Sequence, residues 1–189
     1  ILLVNFKLRH IYVFSIKKIM KSKKNLVFLG MMGSGKSSIG YLVAKKLKLK
    51  FIDIDNEIEK KFSTTIKKIF ENKGENYFRK IEEQTTLNKL KLKYSVISLG
   101  GGAFINKNIR HEVVKNHLSF WLNWDAKILL KRIKSSKKRP LTIGVSDEEL
   151  IDLVKKRSNL YSKALYEIKC DNLTKSEIVS KIIEIYETN

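Results

Sequence analysis

The segment "GMMGSGKS", Gly30–Ser37, has the residue types and spacing of a phosphate-binding loop. It matches the pattern G-x-x-x-x-G-K-[ST] in full, with an apolar strand pattern before it and an amphipathic helix pattern after it. The glycines let backbone N–H groups and the helix N-terminus face a polyphosphate. Lys36 would reach the β- and γ-phosphates, and the Ser37 hydroxyl would ligate Mg²⁺. A chance glycine-rich turn, the alternative, does not explain why strand, loop and helix occur in this order.

Two carboxylates, Asp53 and Asp55, follow in "FIDIDNEI", and they would point the same way because alternate side chains of a strand share a face. Like charges beside a core are costly unless a cation, a donor or a substrate meets them. We expect this strand to neighbour that of the phosphate loop, with both carboxylates near the transferred phosphate. Asp53 would then hold waters of the Mg²⁺ shell, and Asp55 would orient a substrate hydroxyl or accept its proton. The alternative is that Asp55 caps the helix that begins at "NEIEKKF".

Glycines and an arginine indicate a second ligand. The strand pattern "VISLGGGA" ends in three glycines, which leave room for a small ligand and offer it N–H donors. In "DEELIDLVKKRSNLY", Arg157 interrupts an otherwise apolar helical stripe. A ligand carboxylate would be a good bidentate partner for this guanidinium. The alternative is a buried structural ion pair.

The segment "SSKKRPLTIG" is basic and contains the only proline of the sequence, Pro140, directly after Arg139. A lid that closes and brings an arginine onto ATP phosphates would have this composition. A plain surface loop would look similar. The residues alone leave both interpretations open.

These motifs need a framework, and the sequence alternates short apolar strand patterns with helical stripes of period 3.6. The predicted strands are Leu26–Leu29, Phe51–Ile54, Ser95–Leu99, Leu118–Leu122 and Tyr166–Cys170. Repeated strand–helix units predict a parallel sheet covered by helices on both faces. Ligands of such sheets bind beyond the carboxyl ends of the strands, where the phosphate loop, "DID" and "GGGA" occur.

The composition narrows the function classes. The 189 residues suffice for one domain, 43% of them are hydrophobic, and the longest apolar runs are too short to span a bilayer. A single cysteine, Cys170, excludes an internal disulfide and is typical of a reducing compartment. Residues 1–52 contain 12 of the 39 Lys and Arg residues and no acid, so much of the net charge of +20 lies there. Scattered lysines on helix faces explain this charge better than a specific nucleic-acid site does.

Residues 1–19 are acid-free and mix apolar with basic side chains. A transit or membrane-surface peptide would have this character. However, the segment has no small-residue cleavage site and is poor in Ser and Arg. We therefore interpret residues 1–19 as an extension outside the domain, which comprises residues 20–189.

From about Lys24 to the C-terminus the chain resembles the shikimate kinase family. The resemblance depends on the phosphate loop, "DID", "FRKIE", "LGGGA", "RPL" and "RSNLY", which occur in the family's order. It implies a three-layer α/β P-loop kinase fold with a five-stranded parallel sheet flanked by helices, plus a mobile lid at about 134–148. It also implies that shikimate is bound through its carboxylate by Arg79 and Arg157, through its hydroxyls by Asp55, and by the glycines Gly100, Gly101 and Gly102.

The resemblance implies the nucleotide site as well. Arg139 would be the lid arginine over ATP, and Asp53 would support Mg²⁺ through its bound waters. The other expected ATP contacts are Gly33, Ser34, Gly35, Lys36, Ser37 and Ser38. Ser38 departs from the more usual Thr, and only Lys175 supplies a basic residue where the family often places one beside the adenine.

The predicted reaction is the Mg²⁺-dependent transfer of the γ-phosphoryl group of ATP to the 3-hydroxyl of shikimate, a step of aromatic amino acid biosynthesis. Lys36, Asp55 and Arg139 would be catalytic. A gluconate or nucleoside monophosphate kinase would not account for "FRKIE" and "GGGA" together with "DID". A nucleic-acid-binding ATPase would need a hydrolytic carboxylate after an apolar strand, and none is found. We expect a cytoplasmic monomer that binds ATP and shikimate but no specific nucleic acid and no membrane.

Overall fold

Strands and helices alternate along the chain in this computed structural model, which describes residues 24–134 and 146–189. The strands are β1 Leu26–Leu29, β2 Lys50–Asp53, β3 Ser95–Ser98, β4 Leu118–Asn123 and β5 Tyr166–Lys169. The helices are α1 Lys36–Leu47, α2 Ile54–Phe62, α3 Ile66–Leu90, α4 Lys107–Asn116, α5 Ala126–Lys134, α6 Asp147–Tyr161 and α7 Lys175–Thr188, with a 3₁₀ helix at Ala103–Ile105. Residues 1–19 and Arg139 lie outside the described residues, so the predicted domain boundary and lid stay predictions.

The strands form one parallel sheet in the order β2-β3-β1-β4-β5, which confirms the predicted fold. Pairs such as Val27 with Ile97 and Phe28 with Phe120 set its register. The carboxyl ends of the strands therefore meet at one edge of the sheet. The prediction that β2 neighbours β1 is wrong, because β3 runs between them. The turn after β3 thus separates the acidic segment from the phosphate loop.

The second strand also ends earlier than predicted. It stops at Asp53, and Ile54 is the first residue of α2. The reason is local: Asp53 Oδ1 accepts the Asn56 N–H at 3.2 Å, which caps the helix. The other predicted strand ends agree with the structure to within one residue.

Apolar residues on both faces of the sheet pack under the helices. Val27, Leu29 and Ile97 belong to a cluster that includes Ile58 of α2 and Phe78 of α3. The alternate strand residues belong to a second cluster under α1 and α7, which includes Leu26, Phe28, Val96, Ile39, Val43, Ile178 and Ile182. Burial on both faces is why the strands read as continuous apolar runs.

Helix α3, the longest helix of the described chain, consists of two helical segments. It is interrupted at Gly74, whose φ of 77° and ψ of 171° are not helical. Arg79 therefore lies shortly after the start of the second segment. No helix within residues 24–134 and 146–189 is both long and apolar enough to cross a membrane.

Candidate active site

The phosphate loop joins β1 to α1 and turns at positions that require glycine. Gly33 has a φ of 83° and Gly35 a φ of 91°, in the left-handed region that residues with a side chain rarely adopt. The Ser34 N–H donates to Met31 O at 3.2 Å and closes the turn. Trp124 directly follows β4, and its Nε1–H donates to Ser34 O at 2.9 Å, which helps to fix the loop. The loop is thus preformed, with the N-terminus of α1 behind it.

Lys36 lies under this loop with only 8% of its surface exposed. Its Nζ donates to Gly30 O at 2.9 Å and to Met31 O at 3.0 Å. The ammonium group is therefore held among backbone groups of the loop that would surround a phosphate. Ser37 is exposed at the start of α1, and the Ser38 hydroxyl donates to Gly35 O at 3.0 Å.

Asp53 and Asp55 flank the start of α2 and have different roles there. Asp53 caps the helix, so the alternative that Asp55 is the cap is wrong. Nor do the two share a strand face, because Asp55 lies in the first helical turn. Asp55 faces the turn after β3, since a side chain on Gly100 would lie 2.7 Å from its Oδ1. Burial and then the Asp53 charge raise the pKa of Asp55 to about 6, against the opposing effect of Lys36.

Arg79 is held between two carboxylates of its own helix. Its Nη1 donates to Glu82 Oε2 at 2.7 Å, and its Nε and Nη2 donate to Glu75 Oε1 at 3.1 and 2.9 Å. The guanidinium carbon also lies 5.2 Å from the centre of the Phe78 ring. Burial lowers the pKa of Arg79, but Glu82 and Glu75 outweigh it and the pKa is raised. Arg79 is thus a permanent cation in a fixed orientation.

Glu82 is the most deeply buried carboxylate of this group, with 3% of its surface exposed. Burial raises its pKa although Arg79 and Arg157 oppose the shift. A side chain on Gly100 would lie 2.5 Å from Glu82 Oε1, so Glu82 and Asp55 pack against the same residue. The turn after β3 is therefore the point at which the charged side chains converge.

The three glycines of this turn were expected to leave room for a ligand. In the described structure they first make room for the charged side chains themselves. A side chain on Gly102 would lie 2.5 Å from Arg79 Nη1, and one on Gly101 would lie 3.3 Å from Met32 N. A side chain on Gly102 would displace Arg79, and one on Gly101 would press against the phosphate loop.

Arg157 reaches the same turn from α6. Its Nη1 lies 3.4 Å from Gly101 O and 3.7 Å from Met31 Sδ. Its Nε is buried and has no hydrogen-bond partner among the described residues. None of the ion pairs within residues 24–134 and 146–189 includes Arg157, which does not support the alternative of a structural ion pair. A buried guanidinium with an unused donor is suited to an anionic ligand.

A cavity of about 230 Å³ lies on the other side of the phosphate loop. Its lining includes Gly35, Ser38, Trp124, Arg132 and Lys175. The Arg132 guanidinium lies over the Trp124 ring, 4.1 Å from its centre. A flat cation stacked on an aromatic ring next to the loop offers a surface for a nucleotide base.

Comparison with known proteins identifies the family. The sequence model of shikimate kinases matches residues 32–187. The chain belongs to the shikimate kinase family. It is similar to the shikimate kinase of Bacillus subtilis, with 40% identity over 168 residues that cover 86% of this chain and 88% of the relative. The shikimate kinase of Bartonella quintana is 38% identical over 179 residues, 93% of this chain and 85% of the relative.

A solved structure of a shikimate kinase is also similar to this chain. The shikimate kinase from Acinetobacter baumannii in complex with shikimate superposes with a TM-score of 0.83 and 31% identity, covering 91% of this chain and 97% of that one. Membership of the shikimate kinase family confirms the predicted fold and enzyme class, and with them ATP-dependent phosphorylation of shikimate. It does not favour a gluconate kinase, a nucleoside monophosphate kinase or a nucleic-acid-binding ATPase.

Sequence reasoning did not single out several residues that the structure places in the candidate site. Glu82 was inside the quoted "FRKIE", and its spacing of three from Arg79 on a helix is a usable signal for an ion pair. Trp124 follows the end of β4, at the edge of the sheet where ligands bind. Arg132 gave no such signal, because it is one of many basic residues in its segment.

Proposed function

We propose that the charged cluster around Gly100–Gly102 is the shikimate site, and that the loop containing Lys36 holds the ATP phosphates beside it. The observation that carries the proposal is the convergence of Asp55, Arg79 and Arg157 on this one turn. One carboxylate and two guanidiniums match an acceptor that has one carboxylate and several hydroxyls.

The acceptor carboxylate is proposed to bind Arg79 and Arg157. Arg79 has its Nε edge occupied by Glu75 and one Nη1 donor by Glu82, which leaves donors on both terminal nitrogens. Arg157 has a buried Nε without a partner among the described residues. Two guanidiniums from different helices would fix the acceptor at one end and point its hydroxyls toward Asp55.

Asp55 is proposed to orient the 3-hydroxyl and accept its proton. The hydroxyl oxygen forms a bond to the γ-phosphorus, the bond from that phosphorus to the β,γ-bridging oxygen breaks, and ADP leaves with the electron pair. With a pKa of about 6, caused chiefly by burial, Asp55 is ionised at neutral pH and is still basic enough to take the proton.

Lys36 and the loop amides are proposed to stabilise the charge that builds up on the phosphates. The donor set also fits Mg²⁺: the Ser37 hydroxyl would ligate it directly, and the Asp53 carboxylate would hold its bound waters. Within the described residues no group of three His, Cys, Asp or Glu side chains could hold a metal. When bound, Mg²⁺ neutralises phosphate charge.

The cavity beside Trp124 and Arg132 is proposed to hold the adenine. Gly35 and Ser38 of the phosphate loop line this cavity, which supports a nucleotide whose base extends from the loop into it. Arg139 lies outside the described residues, and we retain it as the proposed lid arginine over the phosphates. A cytoplasmic monomer likewise stays a prediction.

A four-way assay tests this proposal. We expect ADP release to be fast with shikimate and near background when gluconate, CMP or RNA is added instead. Mass spectrometry should show that the product carries one additional phosphate, on the 3-hydroxyl. Phosphorylation of gluconate or CMP at a rate comparable to that of shikimate would contradict the proposed acceptor site.

A further inference from the structure

The turn Gly100–Gly102 has all its carbonyl groups engaged within the protein. Gly100 O accepts the Ala103 N–H, and Gly102 O accepts the Ile105 N–H, both at 3.1 Å. Gly101 O accepts the Tyr161 hydroxyl at 2.5 Å. In contrast, the N–H groups of Gly101 and Gly102 donate to no group within the part of the chain that the structure describes. The groups of the turn that are left without a partner among the described residues are therefore donors, which suit the acceptor oxygens of a ligand.

Tyr161 determines the direction in which one of these donors points. Gly101 O and the Gly102 N–H belong to the same trans peptide unit, in which they point in opposite directions. A hydroxyl that draws Gly101 O toward α6 therefore turns the Gly102 N–H away from α6. The Arg79 guanidinium lies next to Gly102, since a side chain on Gly102 would come within 2.5 Å of its Nη1.

The tyrosine is itself firmly fixed. Only 2% of Tyr161 is exposed, and its ring packs against Phe104 and Trp121 with centre-to-centre distances of 6.5 and 6.1 Å. Burial raises the pKa of Tyr161 to about 12, with Arg157 opposing the shift. The hydroxyl thus keeps its proton at every pH at which the enzyme would work, and it always donates.

Arg157 does not duplicate this contact. Its Nη1 lies 3.4 Å from Gly101 O, which is long for a hydrogen bond. If Arg157 turns toward the acceptor carboxylate, Tyr161 alone remains to hold the carbonyl. We propose that Tyr161 is a positioning residue that orients the Gly101–Gly102 peptide, so that the Gly102 N–H donates to the bound acceptor. This inference rests on the proposed function.

The variant Tyr161→Phe removes the hydroxyl and keeps the ring. We expect the KM for shikimate to rise about tenfold, the loss that one hydrogen bond to a ligand typically causes. The contact is made equally before and during phosphoryl transfer, so kcat and the KM for ATP should stay within about twofold of the parent values. A purely structural role would change kcat or both KM values together.

Tyr166→Phe is the matched control, because the Tyr166 hydroxyl also makes one hydrogen bond, to Asn189 Oδ1 at 2.8 Å, but at the amino end of β5. It should leave both KM values unchanged.

An unchanged shikimate KM in folded Tyr161→Phe would overturn the inference, as would equal changes in both KM values. If the variant does not fold, the Gly102 amide proton of the parent enzyme decides: its NMR shift should move on shikimate addition, and no movement overturns the inference. Failure of the proposed function itself would be recognised separately, as absence of shikimate turnover in the parent enzyme.

Discussion

The two halves of the active site are built from different groups. The phosphate side is made of backbone: glycines with positive φ, the amides of the loop and the start of α1. The proposed acceptor side is made mainly of side chains: Asp55, Arg79, Glu82 and Arg157 converge on one turn. The backbone half takes its shape from one continuous segment, whereas the side-chain half depends on helices that are far apart in the sequence.

The halves also differ in how they hold charge. On the phosphate side, Lys36 is satisfied by carbonyl groups of its own loop. On the acceptor side, burial raises the pKa values of Asp55 and Glu82, so ionised carboxylates are held there at a cost to stability. These buried charges therefore lower the stability of the ligand-free protein, as is common where function requires charged groups in a buried site. We therefore expect substitutions on the phosphate side and on the acceptor side to change different properties of the enzyme.

The largest effect is expected on the phosphate side. Lys36→Ala should lower kcat by about a thousandfold, because it removes the cation that meets the developing phosphate charge. Steady-state ADP release measures this loss, and Lys45→Ala, an exposed lysine on the same helix, is the control. Near-normal turnover in a folded Lys36→Ala enzyme would contradict the assignment of the phosphate loop.

Asp55→Asn should lower the activity of the enzyme but raise its stability. Removing the charge should lower kcat by about a hundredfold, the usual scale for a positioned base, and added Mg²⁺ should not restore it. The same change should raise the free energy of unfolding at pH 8 by about 1–3 kcal/mol. The folded pKa of Asp55 lies above its unfolded value of 3.8, so this residue favours folding at low pH and opposes it once pH rises through about 6.

On the same preparations, steady-state turnover measures the change in kcat and denaturant unfolding measures the change in the free energy of unfolding. Asp53→Asn is the paired variant: Asn can also cap α2, so stability should not fall, while the Mg²⁺ concentration for half-maximal rate should rise. A fully active Asp55→Asn enzyme would show that Asp55 has no catalytic role.

Arg79→Lys tests the acceptor side without changing its net charge. Lysine lacks the planar fork that binds Glu75, Glu82 and a carboxylate at once, so the KM for shikimate should rise at least about tenfold. The KM for ATP should be unchanged. A rise in the ATP KM of equal size would mean that the two halves are not separate.

Arg132→Lys is the reciprocal and smallest change. It removes the flat cation stacked on Trp124, and the KM for ATP should rise about threefold to tenfold. The KM for shikimate should not move. Parallel kinetic measurements with each substrate varied in turn would show whether each arginine serves only its own half.

The difference between a site formed by one continuous segment and a site formed by distant side chains also explains what could be predicted from sequence. The phosphate loop is contiguous and its glycines are required by backbone geometry, so its form follows directly from Gly30–Ser37. The sheet was predictable because buried parallel strands read as apolar runs. The strand order was not, since nothing local shows that β3 separates β2 from β1.

The acceptor side was harder because its residues meet only after folding. Asp55 and Arg157 were found as polar residues in unusual places, but the partners of Arg79 were not recognised. The spacing of Glu82 from Arg79 allows an ion pair, but only the structure shows that this carboxylate is buried beside Gly100. The cap at Asp53 was not predicted, and the alternative considered for the cap was Asp55, because one residue decides where β2 ends and α2 begins.

The pH dependence of kcat/KM for shikimate decides whether Asp55 is the base, because it reports the base of the free enzyme. With Asp55 as that base, kcat/KM should fall tenfold per pH unit below about pH 6, the pKa that burial and Asp53 impose. In Asp55→Asn the residual activity should lose this limb. A rate that stays constant down to about pH 4.5, or a limb near pH 6 that persists in Asp55→Asn, would contradict the account.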